Sequence, residues 1–195
     1  MSRYRTRSWR AFDPAATAAP VAVALTVRIL GLDPGSRRTG FGVIECRGQE
    51  LRVVAHGCLN VAAAAPTRRL RLIFEGLKAL VCEHAPAEVA VERVFVSRNP
   101  DSALKLGQAR GAALCAIPAG VPVFEYAARA VKLAVVGSGA AEKFQVAHMM
   151  RVLLALTERP GADAADALAV AVCHAHARRV ALLAQQAAPL AGARR

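Results

Sequence analysis

Four acidic residues stand where a carboxylate has chemistry to do. A short apolar run, Ile29 to Leu32, reads as a buried strand ending on Asp33, and Pro34-Gly35 then forces a turn. Phe41 to Ile44 reads as a second strand folding back beside the first. Another apolar run, Val89-Ala90-Val91, also ends on an acid, Glu92. Far along the chain, Gly161-Ala-Asp-Ala-Ala-Asp-Ala-Leu-Ala-Val sets Asp163 and Asp166 three residues apart at a helix start, a spacing that puts both on one face. Asp-Pro-Gly alone is satisfied by an ordinary turn acid. Two strand tips and one helix start delivering four carboxylates instead suit Mg²⁺ or Mn²⁺, both hard cations that take oxygen ligands. Without cations such a cluster repels itself, and some of its members protonate.

The elements that must position these acids follow from periodicity. The opening reads as an antiparallel meander, with Leu51 to Val61 its third strand. A helix from Pro66 carries its apolar stripe on Leu70, Ile73, Phe74, Leu77, Leu80 and Val81. Strand four, Val89 to Glu92, leads into an exposed loop, Arg93 to Pro100, and a helix from Asp101 to about Ile117. Along that helix Ala103, Gly107, Gly111 and Cys115 form a stripe of small residues. Each interior Gly costs roughly 1 kcal/mol relative to Ala, which points to close contact with a sheet or a second helix, and of the two a helix–helix contact across a dimer axis is preferred. A fifth strand is expected over Val121 to Glu125, then a short helix with Arg129 and Lys132 and a longer one from Ala140 to Leu156. The last helix is expected over Asp163 to Arg179. The order predicts an α/β fold, a five-stranded mixed sheet with helices on both faces.

Composition narrows the partners. The 195 residues fit one domain, expected over 27–180, with 26 basic groups against 14 acids and a net charge of +12. That balance points to a polyanion, and with no basic amphipathic helix in view, nucleic acid leads over a membrane face. No apolar run reads as long enough to cross a bilayer, and five scattered Cys without a C-x-x-C fit thiols in a reducing cytoplasm. Residues 1–26 mimic a targeting peptide through Arg3, Arg5, Arg7 and Arg10 before an Ala-rich segment. Asp13 and Pro14 interrupt it, so a disordered extension or a start set too far upstream is expected, with a flexible basic tail over 181–195. Cys173, His174 and His176 do not share one helix face and read as packing and surface residues.

The segments ILGLDPGSRRTGFG (29–42), VERVFVSRNPDSALKLGQARG (91–111) and ADAADALAV (162–170), with Phe124-Glu-Tyr-Ala-Ala-Arg and Ala141-Glu-Lys, closely resemble the RuvC family of Holliday-junction resolvases. The resemblance runs from Val27 to about Arg178. It implies a ribonuclease-H-like fold, a homodimer, and paired symmetric nicking of four-way DNA junctions in recombination and repair. Further implications are two Mg²⁺ per site, with Mn²⁺ possible, and work alongside a RuvA–RuvB branch-migration complex. Asp33, Glu92, Asp163 and Asp166 match the family's catalytic, metal-holding acids. Lys132 and Lys143 match basic residues near the phosphate, Phe95 an aromatic that stacks on a junction base, and Arg98 falls in the same DNA-facing loop. In two-metal sites the ions lie roughly 3.5–4 Å apart, and the nicking that the resemblance implies would leave 5′-phosphate and 3′-hydroxyl ends. Phe144, where a polar residue is expected, and the Thr157–Gly161 linker depart from the family pattern. Rival readings are a ribonuclease-H-like nuclease for RNA–DNA hybrids or flaps, a phosphotransferase of the actin and sugar-kinase kind, and a non-catalytic junction-binding module. One lobe is too few for the phosphotransferase, and the intact acid set weighs against the module.

Overall fold

The structure is a computed structural model that describes residues 26–93 and 99–187. The expectations about the amino-terminal extension, Phe95 and Arg98 fall outside those residues. Among the described residues ten elements follow in order: β1 (Val27–Asp33), β2 (Arg38–Arg47), β3 (Glu50–Asn60), α1 (Pro66–His84), β4 (Glu88–Arg93), α2 (Pro100–Cys115), β5 (Val123–Ala127), α3 (Ala128–Val136), α4 (Lys143–Leu153) and α5 (Ala162–Ala187). The strands form one sheet in the order β3-β2-β1-β4-β5. β2 runs antiparallel to β1 and β3, whereas β4 is parallel to both β1 and β5.

Strand alternation divides the core into two layers. Leu30, Leu32, Val43, Val89 and Val91 face α1 and α2, while Ile29, Ile44 and Ala90 face α3, α4 and α5. α5 crosses β1 and β2 closely because glycine meets alanine there. A Cβ on Gly31 would stand 2.1 Å from the Ala167 carbonyl oxygen, and one on Gly42 would stand 2.7 Å from Leu168 Cδ2. The alanine content of α5 is therefore a packing surface, with Ala164, Ala165, Ala167, Ala169 and Ala171 all buried.

Three expectations need correction. α5 does not stop at Arg179 but continues to Ala187, so 181–187 are helix rather than part of a flexible tail over 181–195, because Val180 to Ala187 are all residues tolerated in helices and include no breaker. This length gives Ala162–Gln185 the mean hydropathy, 1.3, of a membrane span, but half of the stretch is buried inside the fold, as in a core helix. α4 begins at Lys143 rather than Ala140 because Glu142 caps it, its backbone N–H donating to Gln145 Oε1 at 2.7 Å. The stripe on α2 does not face the sheet, since a Cβ on Gly107 or Gly111 would meet nothing within 4 Å.

At the end of β4 away from Glu92, His174 on α5 is 2% exposed and lies between two polar groups. Tyr126 Oη is 2.7 Å from its Nδ1, and its Nε2 is 2.7 Å from Glu88 Oε2. Arg178 Nε donates to the other Glu88 oxygen at 3.0 Å, and the Phe124 ring stacks on the imidazole at 4.3 Å. Burial holds the His174 pKa below its ordinary value despite Glu88. A neutral ring that accepts from Tyr126 and donates to Glu88 satisfies all three groups. Replacing His174 with Ala removes the Tyr126 partner and leaves Glu88 with Arg178, and should cost about 2–3 kcal/mol in denaturant unfolding.

Candidate active site

Strand pairing brings the first two acids side by side. Leu32 is paired with Val91 on the parallel neighbour, so Asp33 and Glu92 are the next residues on adjoining strands. Arg110 of α2 steadies the end of β4, its Nη1 donating to the Glu92 carbonyl at 2.6 Å and its Nη2 to Glu125 Oε1 at 2.5 Å. The start of α5 lies across the tips of β1 and β2. A Cβ on Gly40, the residue paired with Asp33, would stand only 2.0 Å from the Asp163 carbonyl oxygen.

These elements enclose a cavity of about 230 Å³ lined by Asp33, Glu92, Asp166, Lys132 and Lys143, with Val131 and Val146 at its wall. Lys143 Nζ donates to Asp166 Oδ2 at 3.0 Å. Asp163 is not among the lining residues. Its Oδ2 instead accepts from Arg38 Nη1 and from Cys58 Sγ, each at 3.4 Å. Arg38 and Cys58 were not anticipated. Arg38 abuts the Asp-Pro-Gly-Ser turn and was within reach of sequence reasoning, but nothing in the sequence marks Cys58 on β3.

The charge balance inside the cavity is unfavourable to full ionisation. Burial, then Asp166 and Asp163, push the Asp33 carboxyl up to about 6 against the pull of Lys143. Burial, then Asp33 and Asp166, push Glu92 up to about 7. Asp166 in turn raises the Lys143 ammonium through their hydrogen bond. Because both carboxyls lie above their ordinary values, folding takes up protons between those values and the raised ones. Their contribution to stability is full in acid and is lost as pH rises through about 6 and about 7.

The donors are hard oxygen ligands that gain from a cation, so the chemistry of the set fits a divalent metal. The arrangement is open, however. Among the described residues no three His, Cys, Asp or Glu groups are gathered closely enough to enclose an ion, and Asp163 must turn from Arg38 and Cys58 to take part.

Residues 29–174 match the family model described as crossover junction endodeoxyribonuclease RuvC. The chain belongs to the RuvC family. The crossover junction endodeoxyribonuclease RuvC of Marinobacter nauticus is 56% identical over 149 residues, which cover 76% of this chain and 85% of that one. The RuvC of Hahella chejuensis is 53% identical over 154 residues, covering 78% and 90%. The structure of Thermus thermophilus RuvC in complex with a Holliday junction substrate superposes with a TM-score of 0.71 at 34% identity, over 78% of this chain and 96% of that one. The ribonuclease-H-like fold expected from the sequence is the fold of this RuvC-family chain.

Proposed function

We propose that this chain resolves four-way DNA junctions by hydrolysing one phosphodiester in each of two symmetry-related strands, using two divalent cations per site. The observation that supports it is the meeting of Asp33, Glu92 and Asp166 with Lys132 and Lys143 in one cavity, within a fold shared with a RuvC bound to junction DNA. The family membership makes the chain an endonuclease of crossover junctions in recombination and repair. Asp33, flanked by the other acids, would be the shared ligand, with Glu92, Asp166 and a turned Asp163 completing the set. Bound there, the cations supply a nucleophilic water and charge stabilisation at the departing 3′ oxygen. Lys143 holds Asp166 and, with Lys132, offers positive charge to the scissile phosphate. Phe95 and Arg98 remain proposed DNA contacts in the loop after β4.

Two nicks related by a two-fold axis call for a C₂ dimer. The outward glycine face of α2 supports a helix–helix contact there. Work in the cytoplasm, where free thiols persist, and alongside a RuvA–RuvB branch-migration complex belong to the same reading.

Cation binding must displace the protons held at about 6 and about 7 on Asp33 and Glu92. Saturating Mg²⁺ should therefore raise the melting temperature by several degrees at pH 8 and hardly at all at pH 5.5. An equal rise at both values would place the cation elsewhere. The activity itself is tested on a synthetic four-way junction, an RNA–DNA hybrid and a flap of matched sequence, each with Mg²⁺. Paired symmetric nicks in the junction alone are expected. Faster cutting of the hybrid would overturn the reading in favour of a different ribonuclease-H-like nuclease.

A further inference from the structure

The two sequence departures from the family pattern meet in space. Phe144 is 57% exposed on the first turn of α4, immediately after Lys143. Arg159, from the Thr157–Gly161 linker, donates through Nη2 to the Phe144 carbonyl at 3.0 Å. The next residue, Pro160, is buried and restricts the backbone of Arg159. Together with Ala147 these residues line a cavity of about 240 Å³, whose remaining wall includes Lys143 and Asp166. Lys143 and Asp166 also line the carboxylate cavity, so the two spaces adjoin.

A lone exposed aromatic is ordinary on a protein surface. This one is set apart by its neighbours. A guanidinium with donors to spare is fastened to its backbone, and the site of phosphate chemistry lies one residue away. An aromatic face beside fixed positive charge is the combination that takes a base together with its phosphate. Every base has a π-face and brings a phosphate for the Arg159 guanidinium, whereas an apolar peptide would bring that guanidinium no anion.

We propose that Phe144 and Arg159 form a nucleotide subsite at the rim of the carboxylate cavity. Phe144 receives the face of a base next to the cut phosphate, and Arg159 receives that nucleotide's backbone phosphate. The inference rests on the resolvase reading above and names a subsite for the strand being cut.

The test uses the full chain with Ca²⁺ in place of Mg²⁺, so that the junction stays intact. 5-Iodouracil is placed in turn at each position within two nucleotides of the cut, and photocrosslinks are mapped by mass spectrometry. A crosslink at Phe144 is expected from one of these positions. Phe144→Ser should remove it and weaken junction binding on the order of tenfold, while Phe144→Trp keeps both. Arg159→Ala should lower the slope of log affinity against log salt by about one. Absence of any crosslink at Phe144, or unchanged affinity in Phe144→Ser, overturns the subsite. Wild-type protein that fails to nick any junction with Mg²⁺ would instead sink the resolvase reading, so the two failures are distinguishable.

Discussion

Replacing Asp33 with Asn should reduce Mg²⁺-dependent junction nicking by on the order of 10³-fold or more, equivalent to about 4 kcal/mol in the barrier, while junction affinity changes little. Asn keeps the shape of the side chain at the tip of β1 and removes the charge that the proposed cations share. The metal-free protein should at the same time become more stable at pH 8. The wild-type carboxyl sits at about 6 through burial and the neighbouring Asp166 and Asp163, so its ionised form is a cost to the fold above that pH. Each kcal/mol relieved corresponds to about 2–4 °C in melting temperature for a chain of this size. Nicking assays and thermal scans on the same preparation read both effects. If junction binding and stability fall together, Asp33 is a structural turn residue and the catalytic assignment fails.

Gly40→Ala should abolish most of the activity without touching any acid. The added methyl would stand 2.0 Å from the Asp163 carbonyl oxygen and 2.6 Å from its carbon. Both atoms are backbone in the first turn of α5, so no side chain can swing aside, and the helix start must move. A displacement of about 1 Å in a catalytic group costs on the order of 10²-fold, and overpacking a tight contact costs about 1–3 kcal/mol. A nicking rate at least 100-fold lower is expected, in a protein that still melts cooperatively a few degrees earlier. Gly40→Ala with full activity would mean that the seating of α5 on β2 does not position Asp163 and Asp166.

The ease with which each feature could be read from the sequence tracks how local its cause is. Asp33 and Glu92 close apolar runs, and Asp163 and Asp166 repeat at helical spacing, so a pattern of a few residues was enough to single them out. The mixed sheet was legible because the meander and the later helix–strand alternation each leave a period in the sequence. The turning of Asp163 toward Arg38 and Cys58 was not, because those three residues lie on three separate elements. Likewise the small-residue stripe on α2 promised close contact, yet only the folded chain shows Gly107 and Gly111 facing outward. The end of α5 was misplaced because Arg179 reads as a boundary, whereas helix-tolerated residues carry the coil on to Ala187. Phe144 and the Thr157–Gly161 linker each depart from the family pattern, but the contact between Phe144 and Arg159 spans fifteen residues and leaves no periodic trace.

Among the described residues α5 is the last of ten elements, and it packs against the first two strands. During synthesis, every nascent chain that has not yet delivered residue 162 to the folding domain lacks Asp163 and Asp166, two of the four candidate carboxylates, and the helix that packs over β1 and β2. Cutting ability should thus arrive in a single step once α5 has been delivered, and a ribosome stalled before residue 162 releases a fragment without the full candidate carboxylate set.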